Sequence, residues 1–280
     1  MAVRSTSGPH VTPELFGVSG DRIICLTAAS TLKVDRARRD RIVGVAARSP
    51  VGSFTAVAHV DVLDPIDPMS SLRAKRSAIS SPVDVTRFIW DNAAELTGAV
   101  VDALWGRLGV PPERRVVLSL RVMAAAKRDA HGAGWADGWG SLRAAPMDDV
   151  TPPRIDLGNP QSPGLDLLPG RLRDIVVPGD VVLGWSRCDG VPLALPGRWD
   201  GESVVVSREL FEASGARPTS SAGVTFDAWT GLGPSGKQGV MLRGSGRARA
   251  RSGTVRVRLA VDRATHWDGI ETGTVRLSAR

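Results

Sequence analysis

Gly8-Pro9-His10-Val11-Thr12-Pro13-Glu14-Leu15-Phe16 opens the stretch that decides the fold. It reads as a proline-bracketed strand, and Gly20-Asp21 turns it into an apolar strand, Arg22-Ile23-Ile24-Cys25-Leu26-Thr27. A short basic helix then runs from Ser30-Thr31-Leu32-Lys33 to Arg38-Arg39-Asp40, with Ser30 as its capping residue. Apolar runs at Ile42–Ala47 and Phe54–Leu63 complete the unit. In the second of these, Ser53-Phe54-Thr55-Ala56-Val57-Ala58-His59-Val60-Asp61-Val62 alternates as a half-buried strand does. Asp64-Pro65-Ile66-Asp67-Pro68 ends it, because proline cannot donate to a ladder. Residues 8–64 are therefore expected to form a compact β-rich unit with one short helix.

Working outward, the period changes after Ser81. Ser81-Pro82-Val83-Asp84 is a helix start, and Val85, Phe88, Ile89, Ala93, Leu96, Val100, Ala103 and Leu104 recur at helical spacing. An amphipathic helix is expected over 82–108, stopped by Gly106, Gly109 and Pro111-Pro112, with a strand from Arg115 to Val122 behind it. Residues 130–175 are rich in Gly, Pro and Trp and read as a linker or covering loop. The remainder, 176–280, is β-rich again. Strand candidates are Asp180–Trp185, Ser203–Ser207, Gly223–Trp229, Gly239–Arg243 and Thr254–Val261. Arg243-Gly244-Ser245-Gly246-Arg247-Ala248-Arg249-Ala250-Arg251 alternates Arg with small residues and is read as a solvated strand or hairpin edge.

The two ends of the chain share an order of elements. Gly8–Pro13 precedes Gly20–Ile24, and Gly190-Val191-Pro192-Leu193-Ala194-Leu195-Pro196 precedes Trp199–Val206. Val57-Ala58-His59-Val60 matches the start of the Leu242–Ala248 run, and Ser207-Arg208-Glu209 stands where the first half has Ser30-Thr31 and Lys33. A duplicated β unit is expected. The division is 1–129 for the first half with its helix, 130–175 for the linker and 176–280 for the second half.

Composition narrows the function classes. The chain has 280 residues, 42% of them hydrophobic, with 31 Gly and 19 Pro, which suits short strands and turns rather than a helical bundle. The net charge of +7 and pI near 10.5 favour anionic partners. The basic residues are spread along the chain rather than gathered, so nucleic acid is not the expected partner. The two cysteines, Cys25 and Cys188, are read as buried free thiols of a reducing compartment, and neither has zinc-site spacing. His10, His59, His131 and His266 do not cluster, and there is neither a Gly-x-Ser-x-Gly elbow nor a dinucleotide fingerprint. No secretory pattern opens the chain and no apolar run approaches the ~20 residues of a membrane span, so a cytoplasmic protein is expected.

The segments Gly8–Pro13, Asp21–Thr27, Ser30–Lys33 and Arg38–Val45 together resemble the pyridoxamine 5′-phosphate oxidase-like split β-barrel family, which includes flavin and deazaflavin (F420) oxidoreductases. The family usually has Pro where Arg41 stands. The likeness returns more faintly over 180–280. It implies a mainly β chain, built as two split β-barrel halves in tandem with a helical insertion. In the family two barrels dimerise and hold their cofactor in the groove between them. A duplicated chain makes that pair internally, as a pseudo-dimer, and a further homodimer is left open.

The resemblance also implies a site. Thr27 at the end of the second strand and Ser30 and Thr31 at the helix start supply donors for a phosphate, beside unpaired helix N–H groups. Lys33 stands where family members place a Lys against the phosphate, and Arg36 and Arg39 extend the basic rim. The ring is expected along His10–Phe16, with Pro13 leaving a gap in the ladder. The second half, with Arg208 but no such Lys, serves as a wall, with Trp185, Arg187, Arg243 and Trp267 as candidates. One cofactor, FMN or F420, per chain and hydride or electron transfer to a small-molecule substrate are the implied function. A non-catalytic carrier or sensor of flavin, F420 or haem is the alternative.

Overall fold

A computed structural model describes residues 1–5, 8–19, 22–49, 52–64, 67, 88–93, 96–97, 115–129, 135–139, 173–229, 236–269 and 271–277. The chain is mainly β and forms two antiparallel sheets, one from each half. The first half contains β1 (Ala2–Val3), β2 (His10–Val11), β3 (Phe16–Ser19), β4 (Arg22–Ala28), α1 (Leu32–Arg39), β5 (Ile42–Ser49), β6 (Gly52–Leu63), β7 (Arg115–Asp129) and β8 (Trp135–Trp139). The second contains β9 (Gly179–Ser186), β10 (Pro192–Trp199), β11 (Val204–Ser207), α2 (Arg208–Ala213), β12 (Thr219–Trp229), β13 (Lys237–Arg251), β14 (Thr254–Asp268) and β15 (Glu271–Arg276).

The halves repeat one topology. In the second, β9, β10, β11, β14, β13 and β12 pair in that order, and β12 returns to β9, so the sheet closes on itself as a barrel. In the first, β1-β2 and β3-β4-β7-β6-β5-β1 pair in the same order, and β2 runs on into β3 through residues 12–15. The pair β2 and β3 thus stands for the unbroken β10. In both halves the helix follows the strand before the return, α1 after β4 and α2 after β11.

Register turns this likeness into residue equivalences. Ala2 pairs with Val11 and Gly44 as Gly184 pairs with Ala194 and Gly223. Gly44 pairs with Val57 as Gly223 pairs with Arg243. A β-bulge follows Val57 in β6 and Arg243 in β13, so even the irregularity repeats. Val11 is therefore the counterpart of Ala194, and Pro9 and Pro13 are the counterparts of Pro192 and Pro196.

Alternation along β6 explains how the halves join. Ala56, Ala58, Val60 and Val62 enter the first core with Cys25, Val43, Leu118 and Leu120. Val57, on the other face, belongs with Ala124 and Ala126 to the second core, which holds Leu183, Trp185, Leu193, Leu195, Phe211 and Leu242. Trp185 meets Phe211 edge-on, with centroids 5.4 Å apart. Between the two cores, Ala2, Val11, Ala194 and Met241 form a small apolar seam. The seam has near two-fold character. Thr225 Oγ1 donates to Val11 O at 2.9 Å, and Thr55 Oγ1 donates to Ala194 O. Gly44 and Gly223 lie against the backbones of Pro192 and Pro9, where a Cβ would stand 2.5 Å and 3.1 Å from the respective carbonyl oxygens. Glycine at both positions lets the strands approach.

Several expectations need correction. The Arg243–Arg251 segment is an edge only at its far end: residues 243–247 lie between β12 and β14 with Arg243 buried, while 248–251 pair with β14 alone and Arg249 and Arg251 are exposed. Cys188 is exposed, because its run turns at Arg187–Gly190, whereas Cys25 is buried. Thr31 rather than Ser30 stands at the N-cap position of α1, and its hydroxyl caps no helix N–H. The stretch read as a linker contains β8, which pairs with β7. Of the helix expected over 82–108, residues 88–91, 93 and 96–97 are helical, and most of the rest lies outside the described residues, as does the Gly20-Asp21 turn. Ile89, placed on its apolar stripe, is exposed, while Phe88 packs on Gly17. Among the described residues no helix is long and apolar enough to cross a membrane.

Candidate ligand site between the barrels

A cavity of about 410 Å³ lies where the two halves meet. Its first-half walls are Met1, Val11–Glu14, Phe16, Ile23, Cys25, Val45–Arg48, Phe54 and Leu120. The second half contributes Asp180–Val182, Pro196, Thr225 and Asp227. Three equivalent pairs face one another across it: Pro13 and Pro196, Ala46 and Thr225, Arg48 and Asp227. The cavity therefore straddles the seam, with Ile23, Cys25, Val45 and Leu120 of the first core and Val181 of the second in its walls. Its size falls in the range of small-molecule sites, and its walls are mostly apolar with few polar groups, as such sites usually are.

The reason it opens into the first barrel is a local change of residue type. On β10, Leu193 and Leu195 fill the second core, and Gly197 follows. Their counterparts are His10, Thr12 and Glu14. Polar His10 and Thr12 thus replace leucines, and Glu14 a glycine, where β2 gives way to β3, and residues 12–15 belong to no strand. Thr12 N donates to Met1 O at 2.9 Å, so the segment is tied down without a ladder.

Glu14 and Lys33 form an ion pair whose side chains are only 8% and 11% exposed. Glu14 Oε1 accepts from both Lys33 Nζ and Thr12 Oγ1, the latter at 2.9 Å. Nearby, burial and the Glu14 charge push the Cys25 thiol up to about 12. Burial, with Arg243, Lys33 and the Met1 amine adding repulsion, holds His10 down at about 4. At the open mouth Arg48 of β5 pairs with Asp180 of β9 and bridges the halves.

Chemically, the lining is poor in reactive groups. Cys25 stays a thiol, which is a weak nucleophile, and His10 stays neutral and uncharged through the physiological range. Among the described residues no three His, Cys, Asp or Glu side chains cluster as a metal site. The arrangement can hold a flat, largely apolar molecule and position it; reaction there needs a group that the ligand itself brings.

Of the residues expected to bind a cofactor, Pro13 lines the cavity, and Lys33 meets it through Glu14. Thr27, Ser30, Thr31 and Arg36 do not line it. Thr27 is buried in β4, and the Thr31 hydroxyl donates to Ala28 O at 2.9 Å. None of the wall candidates lines it either: Trp185 is sealed in the second core, Arg187 pairs with Asp189, Arg243 donates to Thr265 Oγ1 at 3.2 Å, and Trp267 packs on the seam. Glu14, Arg48, Asp180, Thr225 and Asp227 were not singled out. The signal for Glu14 lay in the Pro9–Pro13 and Pro192–Pro196 brackets, which align His10, Thr12 and Glu14 with Leu193, Leu195 and Gly197. Comparisons of the chain with protein-family models and with curated proteins find no match.

Proposed function

We propose that this chain is an FMN- or F420-dependent oxidoreductase of the pyridoxamine 5′-phosphate oxidase-like split β-barrel family, arisen by internal duplication and acting on a small molecule. It holds one cofactor per chain in the cavity at the seam. The observation that carries this reading is the cavity's position. Two barrels of one topology meet where Val11 of β2 and Ala194 of β10 pack together, and the cavity lies at that seam, where the first half has His10, Thr12 and Glu14 in place of Leu193, Leu195 and Gly197. That is the groove in which the family keeps its cofactor.

The residues present fit the ring part of such a cofactor. Val11, Ile23, Val45, Phe54, Leu120, Val181 and Val182 supply apolar walls that exclude water, and the 12–14 backbone offers polar groups beside them. The bound cofactor supplies hydride or electron transfer. The phosphate part fits less directly. Lys33 is held by Glu14, so a dianion there has to displace a buried carboxylate. Arg48, at the mouth and half exposed, is a cationic side chain that lines the cavity, paired with Asp180. Free Cys25 and Cys188 suit a reducing cytoplasm.

The absorbance spectrum of the purified protein, with mass identification of any released chromophore, tests this reading. A flavin or deazaflavin spectrum at one equivalent per chain, or saturable binding of added FMN or F420, supports it. Failure of both to bind rejects it. The inert Cys25 and His10 favour one second reading, a carrier or sensor that binds the same group without turnover. Oxidation of the bound reduced cofactor by a panel of small electrophiles, followed through its absorbance, separates the two.

A further inference from the structure

Glu14 is the best-buried carboxylate of the cavity lining. Its carboxylate is more than nine-tenths buried, yet both of its hydrogen bonds fall on one oxygen: Lys33 Nζ and Thr12 Oγ1 donate to Oε1. Among the described residues Oε2 has no hydrogen-bond partner, and the residue lines the cavity. Oε2 is not sealed off, so its lone pairs remain open to the cavity space as acceptors. The second barrel has Gly197 at the equivalent place. Lys33 contacts Glu14 through Oε1 but does not line the cavity. It neutralises and orients Glu14 rather than facing the ligand.

We propose that Glu14 is the cavity's ligand-reading group, with Oε2 accepting a hydrogen bond from a ring N–H of the bound heterocycle and Lys33 acting as a positioning residue behind it. The inference rests on the flavin or deazaflavin reading above and deepens it. Both cofactors carry the same imide N–H at the polar end of the ring, and both carry their negative charge at the opposite end, on the side chain. A carboxylate attracts the first and repels the second. The imide edge therefore lies innermost, against Glu14, and the anionic tail points away, to the mouth where Arg48 stands. Lys33 then does not read phosphate. The other carboxylates of the lining, Asp180 and Asp227, agree with this polarity, because they leave no net positive field inside the cavity for a dianion.

The test uses the full chain, stripped of any chromophore, and three probes: FMN, riboflavin, and riboflavin methylated at the imide nitrogen, which has lost that donor. Binding is read by quenching of flavin fluorescence. Riboflavin is expected to bind within a few-fold of FMN, since the tail contributes little. The methylated probe is expected to bind about 10- to 100-fold more weakly, the worth of a charge-assisted hydrogen bond. In Glu14→Ala that preference for the unmethylated ring disappears. The variant leaves Lys33 buried without its partner, so the double variant Glu14→Leu, Lys33→Met, which removes both charges and the acceptor, is measured beside it and is expected to bind the two rings equally. Two results overturn the proposal and leave the flavin reading intact. One is equal binding of methylated and unmethylated riboflavin to the unaltered protein. The other is FMN binding more than 30-fold tighter than riboflavin, with Lys33→Met abolishing the difference. Failure of every flavin and of F420 to bind overturns both.

Discussion

Replacing His10 by Leu, the residue at its counterpart position 193, should remove an acid-sensitive weakness from the first barrel. His10 is held near 4 against an ordinary 6.5, first by burial and then by Arg243, Lys33 and the Met1 amine. The folded chain keeps the ring neutral, whereas the unfolded chain takes up a proton as pH falls through 6.5. Between pH 6.5 and 4 the unfolded state therefore binds more protons, and stability is lost as pH falls, by about 1.4 kcal/mol per unit. At pH 5 the loss attributable to His10 comes to about 2 kcal/mol relative to pH 7.5, and below pH 4 it levels off near roughly 3 kcal/mol. For a chain of this size 2 kcal/mol is worth about 3 °C in Tm. Denaturant or thermal unfolding of both proteins at pH 7.5, 6, 5 and 4.5 measures it. Carboxylates and the other histidines titrate in both, so the difference between the two curves isolates His10. The expected result is a stability gap that shifts in favour of His10→Leu by about 2 kcal/mol between pH 7.5 and 5. A gap that is the same at every pH refutes the placement of a neutral His10 among these cations.

Three further outcomes follow from the seam and the second core. Gly44→Ala puts a methyl group 2.5 Å from Pro192 O, and Gly223→Ala puts one 3.1 Å from Pro9 O, so unfolding should show the first costing more, about 1–3 kcal/mol, and the second less. Thr55→Val removes the donor to the buried Ala194 carbonyl and should cost about 1–2 kcal/mol, read by urea midpoint, with Thr225→Val at Val11 O costing a similar amount. Trp185→Ala, which empties the middle of the second barrel beside Phe211, should cost about 3–5 kcal/mol in chemical denaturation while leaving the cavity's lining residues untouched.

Much of the fold was legible because strands advertise themselves by alternation. The runs at Ile42, Phe54, Asp180, Ser203, Gly223 and Thr254 all fall in strands. The tandem arrangement was legible in the paired Pro brackets. β1, β8 and β15 were not, for physical reasons. Ala2–Val3 is too short to show a period, Trp135–Trp139 sits in a Gly-rich context, and Glu271–Arg276 carries mostly polar residues on the open side of β14. The arginine-rich strand was misplaced for a related reason. Alternating Arg with Gly and Ala gives the pattern of an edge, but here the small residues make room for neighbours: a Cβ on Gly246 would meet Trp185 at 2.4 Å and one on Gly244 would meet Ala260 O at 1.9 Å. As for the cavity, Val11, Thr12, Pro13, Glu14 and Phe16 of the segment expected to carry the ring line it. The family resemblance and its charge draw attention to Lys33, while its partner Glu14 is hidden, since the sequence does not show that the two side chains meet.

The most direct measurement of the central claim is the stoichiometry of flavin or F420 binding to the full chain and to Ala47→Trp, a variant that fills the cavity between β5 and β9. Titration calorimetry should find one site per chain in the unaltered protein and none in Ala47→Trp, with both proteins equally folded by circular dichroism. Unchanged binding in the filled variant, or two sites per chain, contradicts a single cofactor seated between the barrels.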